Sequence, residues 1–193
     1  MRCQMLISLL RIISFSLVIV ISHVVVADGV VVDKVYHPYV LPNEREFEWR
    51  MLSHQNDAGN SLAQRLAYGQ SLTEYIMVEV YVVGERDRSG DFGLSAYEVE
   101  TRWMLTEQGE YWADWGMLLE VEKEHKRDIW EVTTGILFEK EFGRNSLALN
   151  AFLIYEMGSD IQSEFEREFR LQYRYRWLPQ VQPAIEDLRD KNN

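Results

Sequence analysis

The sequence predicts an all-β fold, an antiparallel up-and-down meander of about eight to ten strands rolled into a β-barrel, and three observations carry that prediction. The first is the stretch 163–177, S-E-F-E-R-E-F-R-L-Q-Y-R-Y-R-W. Phe165, Phe169, Leu171, Tyr173, Tyr175 and Trp177 fall on one parity, Glu164, Glu166, Glu168, Arg170, Gln172, Arg174 and Arg176 on the other, and only Arg167 departs from the pattern. Side chains of a strand point to opposite faces with a period of two, so this segment offers one apolar and one ionised face, which a helix would mix. Second, the same alternation recurs in seven earlier stretches, giving eight strands of roughly ten to fifteen residues, longer than the five or six of ordinary strands. Third, the connections between them are short, which suits antiparallel neighbours and not parallel crossovers.

Residues 1–27 have a composition of their own: Arg2 and Arg11 are the only charges, 12–26 is almost wholly apolar, and Val25-Val26-Ala27 sets small residues before Asp28. This pattern predicts a secretory signal peptide cleaved after Ala27, with a retained membrane anchor as the rival reading. Cys3 is the only cysteine, so a chain beginning at Asp28 would have neither a disulfide nor a thiolate. Loss of the two arginines would take the net charge from −11 to −13. So acidic a balance argues against nucleic acid as a partner.

Residues 28–43 read as an extended lead-in, because Pro38 and Pro42 remove backbone donors. The barrel domain is expected over 44–186. Its first strand sets Phe47, Trp49 and Met51 against Glu46, Glu48 and Arg50, and H-Q-N-D-A-G-N at 54–60 has loop chemistry. A second strand over 62–70 carries Leu62, Leu66 and Tyr68 on one parity; a third over 74–84 carries Ile76, Val78, Val80 and Val82. After the polar loop 85–93, the fourth strand opposes Tyr97, Val99, Thr101 and Trp103 to Glu98, Glu100 and Arg102. The fifth opposes Tyr111, Ala113, Trp115, Met117, Leu119 and Val121 to Asp114, Gly116 and Glu120. K-E-H-K-R at 123–127 is a charged connection. The sixth strand carries Trp130, Val132, Ile136 and Phe138; Phe142-Gly143-Arg144-Asn145 turns the chain. The seventh carries Leu147, Leu149, Ala151, Leu153 and Tyr155, although Phe152 and Ile154 blur its polar side. The eighth is 163–177. A ninth segment at 181–185 is weakened by Pro183, and 187–193 reads as a polar tail.

Strands of this length match the nine to eleven residues that a tilted strand needs to cross a bilayer. In a membrane barrel the apolar parity faces lipid and the polar parity faces the lumen; in a soluble ligand-carrying barrel the two swap. Trp103, Tyr111, Phe142 and Trp177 gather at one end of the strands and Tyr97, Trp130, Tyr155 and Phe165 at the other, with aliphatic residues between. Two aromatic belts around an aliphatic band are what the two interfaces of a bilayer select. The lumen is then expected to hold Glu79, Glu98, Glu100, Arg102, Asp114, Glu120, Glu131, Glu139, Glu166, Glu168, Arg170, Arg174 and Arg176. Such charges form either a structural ladder of ion pairs or a solute path biased toward cations.

Nucleophilic catalysis wants a Ser or Thr with a His base and an orienting acid. Outside the first 27 residues the chain has only His37, His54 and His125, with Ser89, Asp87 and Asp91 in a neighbouring loop, and no G-x-S-x-G pattern supports them. Walker, Rossmann and zinc motifs are absent as well, so neither an enzyme nor a cofactor is expected.

With its alternating strands and belts, the chain over 44–186 resembles bacterial outer-membrane β-barrel proteins. V-Y-H-P-Y-V at 35–40 followed by E-R-E-F-E-W-R at 44–50 also resembles the start of an uncharacterised group of exported proteobacterial barrel proteins. The resemblance implies an outer-membrane location, with outer-membrane lipid and the barrel assembly machinery as partners, and no known activity. Such barrels end on a strand with a terminal aromatic, whereas this sequence ends E-D-L-R-D-K-N-N: either the eighth strand closes the barrel and the rest is a tail, or the chain is a C-terminally truncated relative, the reading that the strand-like 181–185 favours. The expected function is a narrow pore, a conduit for small solutes or cations, or a structural membrane component. A soluble periplasmic barrel binding a lipid or another apolar ligand is the alternative.

Overall fold

A computed structural model describes residues 34–56, 59–86, 90–177 and 184–190 of the chain. The expected signal peptide lies outside the described residues, as does the lead-in before Lys34. Nine antiparallel strands form one sheet in sequence order, with no helix among the described residues. They are β1 (Arg45–Asn56), β2 (Gly59–Ser71), β3 (Ile76–Arg86), β4 (Phe92–Met104) and β5 (Asp114–Glu124), followed by β6 (Ile129–Phe142), β7 (Asn145–Gly158), β8 (Glu164–Tyr175) and β9 (Ala184–Asp190). The meander is the one the alternation predicts. The sheet is not closed: β1 and β9 are its edges.

Several boundaries differ from the sequence reading. His54 pairs with Ser61 and Asn56 with Gly59, so the expected loop 54–60 is mostly hairpin. Its Asn and Gly residues serve a tight reversal rather than a long loop. β3 and β4 likewise extend into the polar stretch 85–93, around a register shift at Val83/Gly84. Ala113, expected on the apolar parity of β5, is buried ahead of that strand's first residue, Asp114. β9 pairs with β8 from Ala184 to Asp190, so 187–190 are strand and not tail. Gly143 takes φ +65° in the two-residue turn between β6 and β7, a conformation glycine adopts without strain.

Burial alternates along the strands, as in β4, where Glu98, Glu100 and Arg102 are buried while Tyr97, Val99 and Trp103 are exposed. A flat single sheet leaves both faces wet. Here Met77, Leu137, Glu100, Glu139 and Asn150 have 0% exposure, so the sheet must roll over its own ionised face.

The unpaired segment 34–40 shows how far. Lys34 Nζ donates to Glu48 Oε2 on β1 at 3.0 Å, while the Lys34 carbonyl accepts from Arg170 Nη1 on β8 at 2.9 Å. Seven inter-strand spacings of about 4.8 Å would put β1 and β8 about 34 Å apart in a flat sheet. One residue reaches both, so the rolled sheet brings them close without pairing them.

The segment leaves the interior through Leu41-Pro42-Asn43-Glu44, where Glu44 N–H donates to the Leu41 carbonyl at 3.2 Å and Asn43 has φ +59°. Pro at the second and Asn at the third position of a turn suit that geometry, one fixing φ near −65° and the other tolerating φ above zero.

Two glycines make room for this arrangement. A Cβ on Gly116 would stand 3.0 Å from both Cα and Cβ of Pro38, and one on Gly135 would stand 2.2 Å from Cδ1 of Phe152. The Phe152 ring in turn meets Tyr36 edge-on at 6.0 Å. Gly135→Ala is therefore expected to push that ring off Tyr36 and to destabilise the fold by about 1–3 kcal/mol, the range for overpacking a filled core. Urea unfolding followed by tryptophan emission would read it as a lower midpoint.

Candidate functional site: an ionised interior threaded by residues 34–40

The buried face holds three zones, and segment 34–40 runs past all of them. At the centre, Tyr36 packs with Leu118, Leu137 and Phe152, and Ile154 packs against this cluster. This explains the two residues that blur the polar parity of β7: Phe152 and Ile154 face the segment. Asn150 clamps the backbone of Tyr36, its Oδ1 accepting from the Tyr36 N–H at 2.7 Å and its Nδ2 donating to the Tyr36 carbonyl at 2.9 Å. Buried backbone groups off the ladder need such partners. Asn150→Leu is expected to leave both groups unpaired and to cost about 1–3 kcal/mol, comparable to the penalty for an unsatisfied buried amide. Thermal unfolding in detergent, against wild type, measures it.

Toward the end where β1 begins lies a second zone, a hydrogen-bonded network around Glu139 and Asp114. Glu139 accepts from Ser146 at 2.5 Å and from Arg174 at 3.1 Å, and its other oxygen stands 2.6 Å from His37 Nδ1. Tyr39 donates its hydroxyl to Asp114 at 3.0 Å. Burial, aided by the Glu139 and Asp114 carboxylates, pushes the Tyr39 hydroxyl far above its ordinary value. It therefore remains a donor.

The third zone is acidic. Glu79, Glu100 and Glu120 occupy one register row across β3, β4 and β5, and Glu98, Glu122, Glu131 and Glu156 occupy a second across β4 to β7. Arg65 bonds to Glu98, lies 3.3 Å from Glu120, and covers the Tyr81 ring at 4.0 Å. Arg102 stands 3.7 Å from Glu79. Burial pulls the Lys34 ammonium below its ordinary pKa, and the Glu79 and Glu100 carboxylates oppose that pull. Beside the central cluster, Arg170 forks onto Glu168 at 2.5 and 2.7 Å.

Of the sequence-predicted inward residues, Glu79, Glu98, Glu100, Arg102, Asp114, Glu139, Glu168 and Arg170 are buried. Glu120, Glu131, Glu166 and Arg174 are half-buried on the same face, and Arg176 is exposed just past the end of β8. The predicted belt residues Tyr97, Trp103, Tyr111, Trp130, Phe142, Tyr155, Phe165 and Trp177 are all exposed. Trp103, Phe142 and Trp177 lie at or beyond one set of strand ends, Trp130 and Phe165 near the other, with Val80, Val99, Leu119 and Ile136 exposed between.

Sequence reasoning missed Arg65 and segment 34–40. Strict alternation along β2 would have turned Arg65 inward with Ala63 and Ala67. Nothing local marks the segment's partners, since Tyr36 and Asn150 are 114 residues apart. Of the histidines weighed for catalysis, His37 pairs with Glu139 and His125 meets the Tyr97 ring edge-on at 5.9 Å. The side chains of His54, Asp87 and Ser89 lie outside the described residues. Among the described residues no three His, Cys, Asp or Glu side chains converge to hold a metal ion.

Comparison with known proteins finds no matching family, no matching curated protein and no matching solved structure.

Proposed function

We propose that the chain is an integral outer-membrane β-barrel protein, a narrow conduit for small solutes or ions or a structural membrane component, without catalysis. The observation that carries this reading is the inverted partition of side chains. Glu79, Glu100 and Glu139 are buried, while Val99, Leu119, Ile136, Leu149, Leu153 and Phe169 are each at least 40% exposed. Burying one such apolar side chain is worth about 1.5–3 kcal/mol, so a water-soluble fold has every reason to do the opposite. A bilayer removes the conflict, because lipid tails take up the aliphatic band and the headgroup region takes up the aromatic ends. Hydrocarbon also leaves no unpaired strand edge satisfied, so the reading requires β1 and the far edge of the sheet to find partners in the membrane.

Outer-membrane lipid is then the principal partner, and the barrel assembly machinery the route of insertion. Fractionation of expressing Gram-negative cells tests the proposal. The protein should resist carbonate extraction and migrate differently on unheated and heated gels. Release by osmotic shock would overturn it and favour a soluble periplasmic barrel with an apolar ligand.

A further inference from the structure

Resting on the conduit reading above, we infer that residues 34–40 form a withdrawable plug, and that the solute it holds back is a small cation whose place the Lys34 ammonium takes while the plug is seated.

Two observations point to a cation. The acidic rows Glu79–Glu100–Glu120 and Glu98–Glu122–Glu131–Glu156 put carboxylates opposite carboxylates on adjacent strands, where like charges repel. Arg65 and Arg102 are among the positive charges that face them. Independently, Glu79 is 1% exposed and neither of its carboxylate oxygens accepts a hydrogen bond, nor does Oε1 of Glu100 at 0% exposure. The nearest guanidinium nitrogen, on Arg102, stands 3.7 Å away, an ion pair without a hydrogen bond, so the buried oxygens of Glu79 keep acceptor capacity for a cation's hydration shell. The rows offer no convergent ligand set, so they suit a hydrated monovalent ion moving from carboxylate to carboxylate rather than a coordinated metal.

Two further observations make the segment a plug and not a tenth strand. Its attachments to the sheet run through side chains: Glu48 and Arg170 for Lys34, Asn150 for Tyr36, Glu139 for His37, Asp114 for Tyr39. Withdrawing it would break no strand–strand pairing. And the Lys34 ammonium, 3.0 Å from Glu48 on β1, carries the segment's own positive charge onto the ionised face, which makes the seated segment a competitor for the ions the acidic rows attract.

The test uses the purified full-length protein in planar phosphatidylcholine bilayers across a steep KCl gradient. Asn150→Ala, which drops both bonds to Tyr36, and Lys34→Ala, which removes the segment's ammonium from Glu48 and changes no residue of the sheet, should each raise the mean conductance severalfold. The reversal potential should have the sign for K⁺ over Cl⁻, and adding Glu79→Gln with Glu100→Gln should move it toward zero. Variants that insert but conduct no more than wild type, or an anion-selective or glutamine-insensitive current, would overturn the plug and leave the membrane reading standing. A protein that neither resists carbonate nor shifts on unheated gels would overturn both.

Discussion

Arg65→Ala is expected to lower folding stability by about 3–5 kcal/mol, the range for removing one partner of a buried charge pair. Arg65 is 7% exposed and serves three groups at once: it bonds to Glu98, lies 3.3 Å from Glu120, and stacks on Tyr81. Its loss leaves two carboxylates facing Glu122 and Glu100 across adjacent strands. The penalty should come from those stranded charges and not from the missing stem. Glu98→Gln added to Arg65→Ala should therefore recover part of the loss, and denaturant titration of the two variants against wild type checks it. If the double variant is less stable than the single one by the full cost of Glu98→Gln alone, the two side chains do not act as a pair.

Ile136→Arg is expected to destabilise the membrane-inserted protein by about 2–4 kcal/mol, the cost of a guanidinium on the lipid face near the bilayer midplane. Ile136 is 51% exposed, midway along β6, between Met117 and Ala151 in the register. In water such a side chain on an exposed strand face would accept arginine almost without cost. The same change at Phe142, at the strand end, should cost about 0–1 kcal/mol, since depth sets the penalty. Reversible unfolding from lipid vesicles gives both values. Equal costs at the two sites would contradict a lipid-facing band.

The strand pattern was legible because one physical rule repeats: residues on one parity share a face. From Tyr97 to Trp103, and from Phe165 to Tyr173, that rule fixes both the strand and its exposed side. It weakens where one side chain answers to something off the strand. Phe152 breaks parity because Tyr36 lies over it, and Gly135 is small because Phe152 lies beside it. Asn150 looks like one more polar inward residue, and only the threaded segment gives its two amide atoms their task. V-Y-H-P-Y-V reads as an unpaired lead-in, which it is. Its course along the ionised face depends on partners on β1, β5, β6, β7 and β8, and no spacing within the segment announces them. The hairpin at 54–61 was obscured for a simpler reason: Asn, Asp and Gly mark a tight turn as readily as a loop.

The six tryptophans offer the most direct measurement of the central claim, that the exposed apolar face meets lipid tails. Trp49, Trp103, Trp112, Trp115, Trp130 and Trp177 are all at least 39% exposed. Reconstituted into vesicles whose acyl chains carry bromine, the protein should lose a large part of its tryptophan emission, while iodide in the aqueous phase should quench little. Emission untouched by brominated chains and readily quenched by iodide would place that face in water.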